Sequence, residues 1–292
     1  MTKRPISLED YQSRLRLTFT EDGIARGRQF KPKTGDIVIS PYGKCGTTWL
    51  QQMAHTLRTR GDMVFDDISR VCPWIEMAHD LALDLSLQQK ASPRIFKSHR
   101  DYEGVPKGCR YIVSFRDPKD ALVSMYRFME GWFFEPGSIS ITEFAEGDYL
   151  RSEGLDYWTH FSSWWRQREN SNVLLLTYEG MRNNLDDAIR RVANFMDIEL
   201  DGQLLDITRK HTSFDFMLAH RDRFDDKLMR EHAEKVADIP PGSDSAKVRK
   251  GEVGAYRYEL TPRLSEALDR YWDKLIFKEF GLRSYDDVLG LL

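Results

Sequence analysis

A unit made of a short apolar strand, a loop and an amphipathic helix occurs twice in this chain. Residues 36–40 (DIVIS) have the composition of a buried strand, and apolar side chains recur at helical spacing over residues 49–57. Residues 111–115 (YIVSF) and residues 121–129 repeat this pattern. Because helices that connect parallel strands cover the sheet, the repetition predicts an α/β fold with a mostly parallel central sheet flanked by helices.

The rest of the chain continues the alternation of strands and helices. It contains no internal sequence repeat and no evident domain linker, so we expect one domain over residues 1–292. Residues 227–250 carry many charges and the sequence PPGS, which is typical of a mobile surface loop. Further strands are predicted at residues 94–97 and 173–178, and further helices at residues 189–196 and 265–280.

Composition excludes several classes of protein. The chain is 41% hydrophobic and 30% charged, which is globular, and its net charge of −3 argues against nucleic acid as a partner. No apolar stretch is long enough for a membrane span, and the N-terminus has no apolar signal core. The three cysteines are an odd number and lie far apart, which favours reduced thiols and a cytoplasmic protein without a structural metal.

The loop after the first strand predicts a phosphate site. Residues 41–49 (PYGKCGTTW) join a strand to a helix N-terminus, where free backbone N–H groups and the helix dipole attract an anion. Lys44 adds a positive charge, and Thr47 and Thr48 add hydroxyl groups. The loop is P-loop-like but lacks the order GxxxxGK[ST] of nucleotide P-loops, because its lysine precedes the second glycine.

Four segments together resemble the cytosolic sulfotransferases. Residues 44–49 (KCGTTW) are similar to the family's KSGTTW loop, which binds the 5′-phosphosulfate of 3′-phosphoadenosine 5′-phosphosulfate (PAPS). Residues 116–120 (RDPKD) with Ser124 resemble its RNPKDxxxS segment. Residues 211–214 (HTSF) and residues 249–254 (RKGEVG) resemble two later motifs in the family's order.

The resemblance implies a sulfotransferase fold with PAPS as co-substrate. It implies that Arg116, Ser124 and the loop residues Arg249 and Lys250 bind the 3′-phosphate, and that aromatic side chains enclose the adenine. The implied PAPS-binding residues are Lys44, Cys45, Gly46, Thr47, Thr48, Trp49, Arg116, Ser124, Tyr178, Thr212, Phe214, Arg249, Lys250 and Gly251.

His99 is the candidate catalytic base. It follows a predicted strand and should face the same sheet edge as Lys44, and a neutral histidine can take a proton from a hydroxyl at physiological pH. The family's KTH motif, here Lys97-Ser98-His99, implies the same role. Lys44 is expected to stabilise or protonate the leaving oxygen. The resemblance implies that Lys97 holds sulfuryl oxygens and that Ser124 restrains Lys44 until the acceptor arrives.

The expected reaction is transfer of a sulfuryl group to a hydroxyl of a small, hydrophobic acceptor such as a phenol, an alcohol, a sterol or a lipid, without a metal ion. The oligomeric state, monomer or homodimer, stays open. Three alternatives also stay open: a P-loop kinase using Asp117 for Mg²⁺, a non-catalytic 3′,5′-nucleotide-binding module, and a dehydratase that eliminates sulfate after transfer. The aromatic candidates for an acceptor pocket are Phe19, Trp74, Trp132, Phe133 and Phe134.

Overall fold

A parallel sheet of four strands lies at the centre of the molecule. The computed structural model describes residues 3–150, 156–245, 247–248 and 251–292. The strands are β1 (Ile37–Ile39), β2 (Ile95–Lys97), β3 (Arg110–Phe115) and β4 (Val173–Thr177), and their spatial order is β2-β1-β3-β4. All three pairings are parallel, which confirms the predicted fold class.

Helices cover both faces of the sheet. The first eight are α1 (Leu8–Thr18), α2 (Glu21–Arg28), α3 (Thr47–Thr59), α4 (Ile68–Val71), α5 (Pro118–Trp132), α6 (Ile141–Phe144), α7 (Tyr157–Trp165) and α8 (Tyr178–Asn183). The next eight are α9 (Leu185–Phe195), α10 (Gly202–His211), α11 (Phe214–Ala219), α12 (Lys227–Val236), α13 (Tyr256–Glu259), α14 (Pro262–Trp272), α15 (Lys278–Phe280) and α16 (Tyr285–Leu289). A π-helical turn at Ala145–Tyr149 precedes α7, and a second at Asp273–Phe277 joins α14 to α15. Two 3₁₀ turns lie at Ile75–Met77 and Arg221–Arg223.

Alternation along the strands divides the hydrophobic core in two. Val38 and Phe96 point into a core with the aromatic residues of α5 and α7. Ile37, Ile39 and Ile95 point to the opposite face, where α3, α9 and α10 pack. Because successive side chains of a strand point to opposite faces, three-residue strands contribute to both cores. This explains why the predicted strands consist mainly of apolar residues.

Two predicted elements differ from the structure. The charged segment 227–250 is not a loop throughout, because Lys227–Val236 forms helix α12 with Met229 and Ala233 buried. Its charged residues occupy the exposed face of an amphipathic helix, a spacing that composition alone hides. Tyr178 does not end a strand but begins helix α8, which the Thr177 hydroxyl caps at its N-terminus.

The three thiols agree with the predicted reduced state. Cys45, Cys72 and Cys109 are all free and buried. Burial raises the pKa of Cys45 and sets those of Cys72 and Cys109 to about 11, so each stays protonated near neutral pH.

Candidate active site

The functional candidates meet at the carboxyl ends of the parallel strands. The loops that follow β1, β2 and β3 open there onto one cavity of about 610 Å³. Loops at this edge of an open parallel sheet are the usual place for ligand binding in α/β proteins. The predicted site residues that line the cavity are Lys44, Gly46, Thr47, Thr48, Trp49, Lys97, His99, Arg116, Ser124, Tyr178, Thr212, Phe214 and Gly251.

The loop between β1 and α3 has a backbone suited to bind an anion. Lys44 and Gly46 both have positive φ, 67° and 99°, and Gly46 is the N-cap residue of α3. A Cβ atom on Gly46 would lie 3.2 Å from the Met181 side chain and 3.3 Å from the Tyr178 ring, so glycine also permits this close packing. The Cys45 side chain is fully buried and does not line the cavity, while its carbonyl oxygen accepts a hydrogen bond from Ser114.

Two buried donors at this loop fit an anionic ligand. The Thr47 hydroxyl and the Arg116 Nε have no hydrogen-bond partner among the described residues, although both atoms are buried. The other guanidinium nitrogens of Arg116 donate to the carbonyl oxygens of Lys44 at 3.1 Å and Glu252 at 2.8 Å. Since buried donors in native proteins are nearly always satisfied, these atoms fit the phosphate oxygens of a nucleotide.

Aromatic side chains line the neighbouring part of the cavity. The indole Nε1 of Trp49 donates to the Thr212 carbonyl oxygen at 2.8 Å, and its ring packs edge-on against Tyr178 with centroids 5.5 Å apart. Phe214 is 41% exposed, and a Cβ on Gly251 would lie 3.3 Å from its ring. These are the rings that the resemblance implies for adenine, and all three line the cavity. The Thr212 hydroxyl itself donates to the backbone of α10.

His99 has its tautomer set by the first loop. Its Nδ1 lies 2.7 Å from the Pro41 carbonyl oxygen. Because a carbonyl oxygen only accepts hydrogen bonds, Nδ1 carries the proton, and the neutral ring has its free lone pair on Nε2. Burial lowers the pKa of His99 well below its usual value, and the charge of Lys97 lowers it further. The side chain is therefore a neutral imidazole across the physiological range.

Lys97 is a buried cation held between an aromatic ring and a carboxylate. Its ammonium lies 3.7 Å from the centre of the Trp74 ring and 3.8 Å from Asp226. Burial lowers the pKa of Lys97 to about 8, although Asp226 opposes this shift. Asp226 also pairs with Lys247, so one carboxylate lies between two lysines.

Asp226 is held in an unusual backbone conformation. Its φ is +48°, the residue is 3% exposed, and its side chain does not cap α12 although it stands at the N-cap position. Burial alone would raise the pKa of Asp226, but Lys247 and Lys97 outweigh it and hold the pKa well below its usual range. A strained residue with a buried charge at a cavity is a common feature of functional sites.

Lys44 contacts a ring rather than the predicted serine. Its ammonium lies 4.3 Å from the centre of the Phe128 ring. Ser124 lines the same cavity, but no hydrogen bond joins it to Lys44 in the described part of the chain, so the expected restraint of Lys44 by Ser124 is absent here. Burial lowers the pKa of Lys44 to about 7, with a further contribution from Lys247.

The apolar wall contains only part of the predicted acceptor pocket. Phe19, Trp74 and Trp132 line the cavity. Phe133 and Phe134 do not, because both are fully buried and pack edge-on against Tyr11 in the core. Consecutive aromatic residues at the end of α5 point in different directions, which residue type alone does not reveal.

The comparisons with known proteins agree with this geometry. A family model described as a sulfotransferase domain matches residues 34–280. The chain belongs to the sulfotransferase family. Sulfotransferase 1B1 of Mus musculus is 30% identical over 265 residues, 85% of each chain, and sulfotransferase 1E1 of Bos taurus is 29% identical over 261 residues, 84% of this chain and 85% of that protein. A solved structure of retinol dehydratase with retinol and PAP has a TM-score of 0.69 at 16% identity, over 96% of this chain and 97% of that chain. It supports the fold.

Two predicted residues of the sulfotransferase, Arg249 and Lys250, lie outside the described residues. The adjacent loop is anchored by Asp120, whose carboxylate accepts hydrogen bonds from the backbone N–H groups of Gly254 at 2.6 Å and Tyr256 at 3.3 Å. Asp120 was not predicted as a site residue, although it belongs to the segment that resembles the family motif. Asp226 and Lys247 carry no such signal in the sequence.

Asp117, the magnesium candidate of the kinase alternative, stands at the start of helix α5 in this sulfotransferase. Its carboxylate accepts from the backbone N–H of Lys119 at 2.8 Å and caps helix α5. Burial raises the pKa of Asp117 to about 6. Among the residues described, no three histidine, cysteine, aspartate or glutamate side chains form a group that could hold a metal ion. Over the same residues, no helix is long and apolar enough to cross a membrane.

Proposed function

We propose that this sulfotransferase moves the sulfuryl group of PAPS to a hydroxyl of a small, largely apolar acceptor, with His99 as general base. The observation that carries the proposal is the hydrogen bond from His99 Nδ1 to the Pro41 carbonyl oxygen. It leaves Nε2 as the basic atom of a side chain that lines the same cavity as the phosphate loop. Lys44 and Lys97 lie on that cavity as well.

The remaining roles follow from charge and position. PAPS supplies the sulfuryl group and leaves as adenosine 3′,5′-bisphosphate (PAP). In this proposal the backbone of the 44–49 loop and Thr47 bind the 5′-phosphosulfate, while Arg116, Ser124 and the residues Arg249 and Lys250 bind the 3′-phosphate. Lys44 stabilises the negative charge on the leaving oxygen, and Lys97 holds sulfuryl oxygens.

The proposal also covers the extent of the catalytic domain and the cellular compartment of the protein. We take residues 1–292 as one catalytic domain, since both hydrophobic cores share the central sheet. Three buried free thiols support a cytoplasmic location.

The first experiment measures binding. Calorimetric titration with PAP, AMP and ATP should give a strong preference for PAP, because the proposed site includes a separate clamp for the 3′-phosphate. In Ser124→Ala that preference should shrink while AMP binding stays the same. Equal or tighter binding of ATP by the wild type would contradict the proposal and favour the kinase alternative.

The second experiment separates chemistry from binding. The variant His99→Asn should bind PAP like the wild type but lose about 10²–10⁴-fold in kcat, measured with labelled PAPS and a panel of phenols and alcohols. His79→Asn is a matched control, because His79 is a partly exposed histidine that pairs with Asp22 away from the cavity. Full transfer activity in His99→Asn would remove His99 from the mechanism.

A further inference from the structure

Arg100 is a buried cation on the cavity wall that none of the proposed roles uses. It follows His99 directly, is only 8% exposed and lines the cavity. Its backbone is fixed by three hydrogen bonds. Its N–H donates to the Ser98 hydroxyl at 3.0 Å, and its carbonyl oxygen accepts from the Ser40 hydroxyl at 2.8 Å and from the Trp164 indole at 3.1 Å. The backbone from which the Arg100 side chain reaches the cavity is therefore well fixed.

The guanidinium of Arg100 has no partner among the residues that the structure describes. Its neighbouring carboxylates are Glu76 and Asp101, and neither has an oxygen within 4.0 Å of an Arg100 nitrogen. Both Glu76 oxygens already accept hydrogen bonds, from the Trp74 indole at 2.6 Å and from Ser98. Burial raises the pKa of Glu76, which weakens it further as a counter-ion.

The charges of Glu76 and Asp101 favour the cationic form of Arg100, but they do not outweigh its burial. Arg28 adds a second positive charge, and Asp101 accepts the backbone N–H of Gly104 at 2.9 Å. Burial lowers the pKa of Arg100, as expected for a cation removed from water. Arg100 is 8% exposed and its guanidinium faces the cavity without a carboxylate partner, so an arginine at this place indicates a ligand that brings the anion.

The co-substrate does not account for this cation. The residues proposed to hold the phosphates of PAPS lie on the 44–49 loop, at Arg116 and Ser124, and on the loop before α13. The same cavity also has an apolar part: the Trp74 ring packs edge-on against His99 with centroids 5.0 Å apart, and Phe19 packs against Trp74. The space beside Arg100 thus belongs to the acceptor.

We propose, resting on the function proposed above, that Arg100 binds an acidic group of the acceptor. The acceptor is then an apolar alcohol or phenol that also carries a carboxylate, with its hydroxyl at His99 and its apolar body along Trp74 and Phe19. A guanidinium suits this task because it binds a carboxylate through two parallel hydrogen bonds.

Matched acceptors test the proposal in the wild type. The pairs are 12-hydroxydodecanoate with its methyl ester, and 4-(4-hydroxyphenyl)butanoate with its methyl ester. The acid of at least one pair should have a kcat/KM about tenfold or more above its ester, as expected for a hydrogen bond to a charged group. The compound 12-hydroxydodecyl phosphate separates a carboxylate site from a general oxyanion site, since a carboxylate site favours the dodecanoate.

Variants locate the effect at Arg100. In Arg100→Leu the preference for the acid should disappear while kcat/KM for the ester is kept, and Arg100→Lys should retain part of the preference because it retains the charge. Arg168→Leu is the matched control, an exposed arginine outside the cavity that should change nothing. An ester turned over as well as its acid in both wild-type pairs, or an unchanged preference in Arg100→Leu, would overturn the inference.

A binding measurement keeps this inference separate from the sulfotransferase proposal. Dodecanoate, which has no hydroxyl group to sulfate, is titrated into wild type and Arg100→Leu in the presence of PAP. Binding to the wild type and its loss in the variant support the acidic subsite, and equal binding to both refutes it. If PAP fails to bind and no acceptor is sulfated, the proposed function fails, whereas sulfation without acid preference refutes only the role of Arg100.

Discussion

At the scale of single residues, the site is a set of basic groups whose pKa values burial has lowered. Burial lowers the pKa of Lys44 to about 7 and of Lys97 to about 8, and it places the pKa of His99 well below its usual value. The histidine is thus neutral where both lysines still carry charge. A base and two cations can act together only in such a pH window.

The pH dependence of the free enzyme follows from these shifts. Lys44 and Lys97 carry their charge below their pKa values and lose it as the pH rises through about 7 and 8. We therefore expect kcat/KM for PAPS to fall above this range, and no loss from His99 protonation between pH 6.5 and 7. In Lys97→Arg the part of the fall in kcat/KM that comes from Lys97 should disappear, because arginine stays charged at these pH values. A profile that still rises above pH 8 would contradict this assignment.

Asp226 should act on the reaction through Lys97. Its negative charge raises the pKa of Lys97, so Asp226→Asn should move the alkaline limb of kcat/KM to lower pH by about one unit. Asp225→Asn is the matched control, because Asp225 pairs with Arg230 and Ser245 instead. Equal shifts in both variants would mean that the effect is structural rather than electrostatic.

At the scale of elements, the first loop depends on one glycine more than on its side chains. Gly46 combines a φ of +99° with close contacts to Met181 and Tyr178. We expect Gly46→Ala to weaken PAP binding about tenfold or more, measured by calorimetry, since a Cβ strains the backbone that presents the N–H groups. Gly35→Ala is the control, because no atom lies within 4 Å of its added Cβ and its φ is not in the left-handed region. Unchanged binding in Gly46→Ala would contradict the anion cradle.

The sequence predicted where most helices and strands lie, but it did not always predict whether a segment is a helix or a loop. Four mainly apolar runs predicted the four strands of the described residues, because a strand covered on both faces is rich in apolar side chains. Helix α12 was missed because high charge hides the spacing of Met229 and Ala233. The pairing of Trp49 with Thr212 was beyond prediction in its detail, since it depends on where α10 ends relative to α3.

At the scale of the whole molecule, PAP should stabilise the fold. A ligand that binds only the native state at 100 times its Kd adds about 2.7 kcal/mol to the free energy of unfolding. For a chain of 292 residues that corresponds to a rise in Tm of about 4–5 °C. Thermal unfolding with PAP and with AMP at equal concentration measures it, and a rise of the same size with AMP would argue against a specific 3′-phosphate clamp.

The sequence by itself determined the fold class, the strand–loop–helix unit around residues 41–49 and the position of His99 after β2. Strand periodicity, a glycine-containing loop and an ordered set of motifs are local properties of the chain, and such properties survive without knowledge of packing. Only the tertiary structure decided the tautomer of His99, the placement of Asp226 between Lys97 and Lys247, and the unpaired guanidinium of Arg100. These features depend on burial and on contacts between residues far apart in the chain. Burial shifts the pKa of an ionisable side chain because it disfavours the charged form.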